Sequence, residues 1–411
     1  MARILFVHNT FPGRFNFLLP SLKERGHSCA AIASGGRDTP GIPLLRWKTT
    51  RGSTKGIFEV ATRAEADFIR GRAAAECALR LRKDGFIPDL VIGHPGWGET
   101  TYIKEIFPNA KQILQGEFYY RSSGGDVGFD PEFGTVTDEE RFRIHSKNAG
   151  MALALADCDH IVFPTEYQAS VFPPAFRARG SVIHEGIDAS RTKPVANASF
   201  KLPDGRVLDA TTPVVTFINR RFEPLRGFHI MMRALPAIQA QSPNVHVLMI
   251  GADETGGYGL PAPKGKTWKQ VFLDEVGGKL DHARIHWTGT VPYDALLNML
   301  TLSCAHIYYT YPFVLSWSLC DAMACECLLL ASDTPPLHDA IEDGVNGRLI
   351  GFFDIDGLSN AIVEAVREPD RFTALRRNAR QTVLEKFDQM RSCLPAWLEL
   401  IDHLLPRSAG K

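Results

Sequence analysis

The sequence predicts an α/β protein of two doubly wound domains, each a parallel sheet covered by helices, facing a common cleft. Three observations predict it. The chain's 411 residues exceed what one ordinary core holds. Short apolar, β-rich runs alternate with stretches of helical periodicity, which is the pattern of parallel strands joined by crossover helices. The alternation stops at a polar stretch containing Pro and Gly, 189–213, which reads as a linker, and then starts again.

The first half supplies RILFVH at 3–8, CAAIAS at 29–34, DLVIGH at 89–94, KQILQG at 111–116 and HIVFP at 160–164. Near-continuous apolar runs of this length read as strands buried on both faces. Helical patterns at 17–25 and 63–83 separate them and end at Gly26 and near Gly85. After VIHEGID at 182–188 and the polar stretch, strands are expected at 214–220, 245–251, 283–289, 306–311 and 327–333, with a helical pattern at 228–241. The domains are therefore expected at 1–190 and 210–385. The closing segment, 390–405, carries Trp397, Leu398, Leu400, Ile401 and Leu404 at helical spacing and is expected to pack back on the first domain. Ligands of doubly wound sheets bind beyond the carboxyl ends of the strands, so the cleft is the expected site.

Composition removes several classes of function. Hydrophobic residues make up 45% and charged residues 22%, which is globular rather than disordered. Lys plus Arg equals Asp plus Glu at 46 each, so no large field draws in a nucleic acid, and any anion site is local. No apolar stretch reaches the roughly 18 residues of a spanning helix, and MARILFVHNTFPGRF reads as a first strand rather than a secretory leader. The expected location is the cytoplasm, with peripheral contact at the inner membrane face left open. The eight cysteines lack the spacing of zinc sites and read as reduced thiols, Cys325 and Cys327 included.

Two clusters carry chemistry. NRRFEPLRG, 219–227, follows a strand and precedes a helix, so Arg220, Arg221 and Arg226 gather where guanidinium forks and free amides favour a phosphate. The alternative is a solvated loop pairing its arginines with Glu223. YPFVLSWSLCDAMA, 311–324, again joins a strand end to a helix that begins near Ser316. Asp321 on that helix can accept hydrogen bonds from a ribose diol, or it can cap or pair within the helix.

RRFEPLRG, then LCDAMA, then SDTPPLHDAIEDGVNGRLI together resemble the carboxyl-terminal domain of the large family 4 type of retaining glycosyltransferases, which includes phosphatidylinositol mannosyltransferases and lipopolysaccharide core glucosyltransferases. HEGID at 184–188 resembles that family's interdomain turn. The resemblance is sharpest over 214–350 and implies the GT-B architecture of two Rossmann-like domains. It implies that Arg221 and Arg226 hold the diphosphate of a nucleotide-sugar donor, with Arg226 standing where the family has lysine. The family's two glutamates fall on Phe313 and Asp321, which places Asp321 at the ribose and a phenylalanine where relatives touch the donor sugar. Its small residue falls on Ser316, with the amides of Leu315, Ser316 and Trp317 toward the phosphates, and Glu326 replaces a glycine after the helix.

In the first half the resemblance sets His8 and Gly13 in a loop near the transferred phosphates. Glu117, in QGEFYYR, stands nearest to a catalytic-site histidine of relatives and is expected to take the acceptor proton, unless it pairs with Arg121. His94 is the rival. The resemblance further implies retention at the anomeric carbon without a bound metal or other cofactor, and an acceptor that is a glycan, a glycolipid or a small molecule. Phe313, Asp321 and Glu326 keep open a protein that binds a sugar nucleotide or glycan without turnover. A nucleotide-sugar epimerase of the same architecture is a third reading.

Overall fold

The computed structural model describes residues 1–405. The chain forms two units, Met1–Glu185 with the segment from Gln389 onward, and Gly186–Asp388. Among the described residues, the first unit holds a seven-stranded parallel sheet: β1 Arg3–Val7, β2 Ser28–Ala33, β3 Leu44–Arg46, β4 Leu90–Gly93, β5 Lys111–Gln115, β6 His160–Phe163 and β7 Gly180–Val182. Its spatial order is β3-β2-β1-β4-β5-β6-β7. The two-residue period sends Ile4 and Phe6 to one face, where they meet helix α1 (Leu18–Glu24) and the closing helix Leu394–Leu404. Leu5 and Val7 go to the other face, against Ala74 and Ala78 of α2 (Thr62–Lys83). Trp397 of the closing helix is fully buried, edge-on to Phe15, as its helical spacing of apolar residues requires.

The second unit holds a six-stranded parallel sheet: β8 Val214–Arg221, β9 His246–Ala252, β10 Ile285–Gly289, β11 Ser303–Tyr308, β12 Leu329–Ser332 and β13 Arg348–Ile350, in the order β10-β9-β8-β11-β12-β13. Its helices include α3 (Phe228–Gln241), α4 (Tyr293–Leu302) and α5 (Trp317–Ala324). The polar stretch at 189–213 is part of this unit rather than a linker. It contains a short antiparallel ribbon, Phe200–Lys201 with Val207–Leu208, and it buries Ala198, Leu202 and Leu208 against Leu248 and Met299. Val195 and Phe200 pack beside them, and Ala189 is buried in the neighbouring core.

Three helices end in the same way. After α1 the amides of Gly26 and His27 return to Lys23 and Leu22, and after α2 those of Gly85 and Phe86 return to Arg82 and Leu81. After α5 the amides of Glu326 and Cys327 return to Met323 and Ala322. This closure needs a left-handed residue, a role that Gly26 (φ 76°) and Gly85 (φ 84°) fill freely. Glu326 fills it at φ 58°, at a cost of about 1 kcal/mol for an L-residue. No helix among the described residues is long and apolar enough to cross a membrane.

Candidate functional site

In both sheets the chain winds outward from its first strand in opposite directions, so neighbouring loops diverge between β1 and β4 and again between β8 and β11. Crevices form at the carboxyl ends of strands at such switch points. The expected residues fall around these two places.

In the second unit, β8 runs into Phe222 and Glu223, a tight turn Pro224–Arg226, and Gly227, the cap of α3. Gly227 sits at φ 69°, and a side chain there would collide with Tyr309, so the turn that delivers Arg226 requires glycine. Arg226 is buried, and its Nη1 donates to Thr310 Oγ1 at 2.9 Å, to the Val314 carbonyl at 3.1 Å and to the Tyr308 hydroxyl at 3.4 Å. Its guanidinium lies 5.4 Å from the centre of the Phe313 ring. All these partners are neutral, and among the described residues no carboxylate stands within ion-pair distance of Arg226. A buried cation held by neutral groups retains most of its attraction for an anion.

Arg221 is placed otherwise. It is one-third exposed, and its Nε donates to Glu254 at 3.0 Å. Glu223 makes no direct ion pair with these arginines: it is buried, accepts the Gly259 amide at 2.8 Å, and burial raises its pKa although both arginines act on its charge from a distance.

Ser316 caps α5, its Oγ accepting the Ser318 amide at 3.3 Å. Its own amide is not free for a ligand, because it donates to the Tyr308 hydroxyl at 2.8 Å. A half-buried amide needs an acceptor, and Tyr308 supplies one. Leu315 is buried in the core beside α5, and Trp317 is 45% exposed. Asp321 is 8% exposed, and its Oδ1 accepts from the Tyr293 hydroxyl at 2.8 Å, which in turn meets Thr192 Oγ1 at 2.7 Å. Burial raises the Asp321 pKa to about 6, partly opposed by that hydrogen bond.

In the first unit, His8 follows β1, His94 follows β4 and Glu117 follows β5. His94 is buried and stacked on Trp97, with ring centres 4.4 Å apart. Its Nδ1 accepts the Gly96 amide at 3.1 Å, which leaves the proton of the neutral ring on Nε2, 3.2 Å from Glu117 Oε2. Glu117 pairs with Arg14 rather than Arg121: Arg14 Nη2 donates to it at 2.8 Å, while Nη1 donates to Glu185 at 2.6 Å. Against the opposing effect of burial, Arg14 and His94 hold the Glu117 carboxyl well below the usual carboxylate range. A carboxylate so held has little affinity for a proton while Arg14 and His94 engage it. His8, whose pKa burial lowers to about 3, sits 5.6 Å ring to ring from His94, and Gly13 turns the loop at φ 48°.

Arg14, Glu185, Tyr308, Thr310, Tyr293 and Glu254 were not expected from the sequence. Arg14 and Glu185 stand 171 residues apart, and only the fold joins them. Position right after a buried strand is the signal that would have found Thr310.

A family model described as "Glycosyl transferase family 4 group" matches residues 25–192, and one described as "Glycosyl transferases group 1" matches 202–382. A D-inositol 3-phosphate glycosyltransferase of Mycobacterium avium is 28% identical over 195 residues, covering 47% of this chain and 42% of that protein. The match thus spans less than half of that relative's own length. Among solved structures, sucrose-phosphate synthase from Thermosynechococcus elongatus superposes with a TM-score of 0.69 at 16% identity, covering 98% of this chain and 99% of the other. Anabaena Alr3699/HepE in complex with UDP-glucose gives 0.65 at 14% identity, covering 98% and 100%. At these identities the likeness bears on the fold.

Proposed function

We propose, from the premise that this chain belongs to the family 4 glycosyltransferases of the GT-B fold, that it moves a sugar from a nucleotide-sugar donor to an acceptor hydroxyl, with retention and without a bound metal. The observation that carries the reading is Arg226, a buried cation with only neutral partners at the switch point of the second sheet. A donor diphosphate supplies the anion that Arg226 lacks, and its charge grows as the sugar–oxygen bond breaks, so the same contact strengthens in the transition state. Arg221 adds a second cation, Asp321 accepts from the ribose, and the amides of Leu315 and Trp317 border the phosphates. Gly13 gives the loop after β1 its turn on the acceptor side.

Glu117 and His94 bind the acceptor hydroxyl. Because Arg14 and His94 leave Glu117 little proton affinity, the acceptor's proton passes to the departing diphosphate, which becomes more basic as it leaves. The acceptor is a glycan, a glycolipid or a small molecule, and the protein works in the cytoplasm, meeting the inner membrane face where the acceptor is a lipid.

The test is product analysis with UDP- and GDP-sugars, with and without chelator. A free nucleoside diphosphate together with a new glycoside, undiminished by chelator, is the expected result. An altered sugar on an intact nucleotide would mean epimerase chemistry. Binding without turnover is the second reading, and it is favoured by Phe313, whose buried ring lies over Arg226 where relatives have a glutamate.

A pH dependence follows from Asp321. With its pKa near 6, it loses its charge as pH falls through that value, so affinity for a UDP-sugar should drop below about pH 6. Asp321→Asn should bind more weakly and show no inflection there. The sign for stability is opposite, because the folded pKa lies above the unfolded value of about 4. The group's contribution is present below pH 4 and lost as pH rises through about 6, so Asp321→Asn should melt above wild type at pH 8 and converge with it at low pH.

A further inference from the structure

The segment Asp253–Thr267 joins β9 to the helix Trp268–Val276 and reaches back to the arginine segment at two points and to Phe313 at a third. Glu254 accepts from Arg221 Nε at 3.0 Å. The Gly259 amide donates to Glu223 at 2.8 Å, and Gly257 passes so close to the Glu223 carboxylate that any side chain there would collide with it. The Tyr258 ring rests on Phe313, centres 5.4 Å apart, and Phe313 in turn covers Arg226. The neighbouring acid, Asp253, is engaged by Lys269 at 3.6 Å, which leaves Glu254 to face Arg221.

The two arginines therefore differ. Arg226 has no anionic partner among the described residues, whereas Arg221 already holds a carboxylate. We propose that Glu254 stands in for a donor phosphate at Arg221, so that nucleotide binding exchanges one anion for another and the 253–267 segment is released at that point. The inference rests on the donor-site reading given above. Glu223 makes the exchange local: it is buried within the arginine segment and keeps the middle of the loop in place whether or not Glu254 is attached. The Glu254 side chain is 59% exposed and that of Arg221 33%, so the pair is solvent-screened and weak enough to be displaced by a diphosphate.

The consequence is a gain of affinity on removing a contact. Glu254→Gln should bind UDP or GDP about three to five times more tightly than wild type, the factor expected for loss of an exposed competing ion pair. The gain should shrink as salt rises, and it should vanish in an Arg221→Ala background. Calorimetric titration of UDP and GDP into wild type, Glu254→Gln, Arg221→Ala and the double variant reads all of this. Unchanged or weaker binding by Glu254→Gln, or a gain that persists without Arg221, overturns the proposal. Arg226→Ala separates the two levels. If it loses nucleotide affinity while Glu254→Gln gains none, only the exchange fails; if neither variant alters affinity, the donor-site reading fails with it.

Discussion

Arg226→Ala should weaken the binding of UDP or GDP by about ten- to a hundredfold, the worth of one to two charge-assisted contacts. The size of the effect comes from burial. An exposed arginine shares its charge with water, but Arg226 is held by Thr310, Val314 and Tyr308 beneath the Phe313 ring, where an arriving phosphate meets a cation that water screens little. The fold should lose less than binding does. The variant leaves the Val314 carbonyl short of a donor, at a cost of about 1 kcal/mol, but it also relieves the burial of a charge. Arg226→Lys should recover part of the affinity, since it restores charge without the planar guanidinium whose Nη1 meets three acceptors. Titration calorimetry alongside thermal melting checks both halves of the expectation.

Trp397→Ala should lower the stability of the first unit by about 3–5 kcal/mol. The side chain is fully buried in one cluster with Ile4, Phe6, Phe15, Leu18 and Leu22, which come from the first strand, the turn Gly13–Phe15 and α1. Truncating a buried tryptophan leaves a cavity whose cost adds to the lost burial. Trp397→Phe should cost clearly less. Urea unfolding followed by far-ultraviolet circular dichroism measures the difference. An alanine variant as stable as wild type would mean that the closing helix contributes little to the first core.

Where apolar runs were long, the sequence announced the fold. Val214–Arg221 and His246–Ala252 lie within a residue or two of the expected strands, and the expected helix at 228–241 matches α3. Leu44–Arg46, Gly180–Val182 and Arg348–Ile350 escaped because three residues are too few to show alternation, and each is an edge strand with only one neighbour to satisfy. The 189–213 stretch misled through its polar composition, which hid the scattered apolar residues that dock it.

The site was legible in kind more than in detail. Sequence position put Arg226 and Asp321 beside strand ends, but their partners are distant in the chain: Thr310 is 84 residues from Arg226, and Tyr293 precedes Asp321 by 28. The Arg14–Glu117–Glu185 network could not be read at all, because its members come from three different loops. The arginine pair was treated as equivalent from the sequence, and only the geometry separates the one that meets Glu254 from the one that meets no acid.

The most direct measurement is a crystal structure of the chain grown with UDP or GDP. Diphosphate oxygens should lie within hydrogen-bonding distance of the Arg226 guanidinium, with a ribose hydroxyl at the Asp321 carboxylate. A nucleotide bound elsewhere, with Arg226 still held only by Thr310, Val314 and Tyr308, would contradict it.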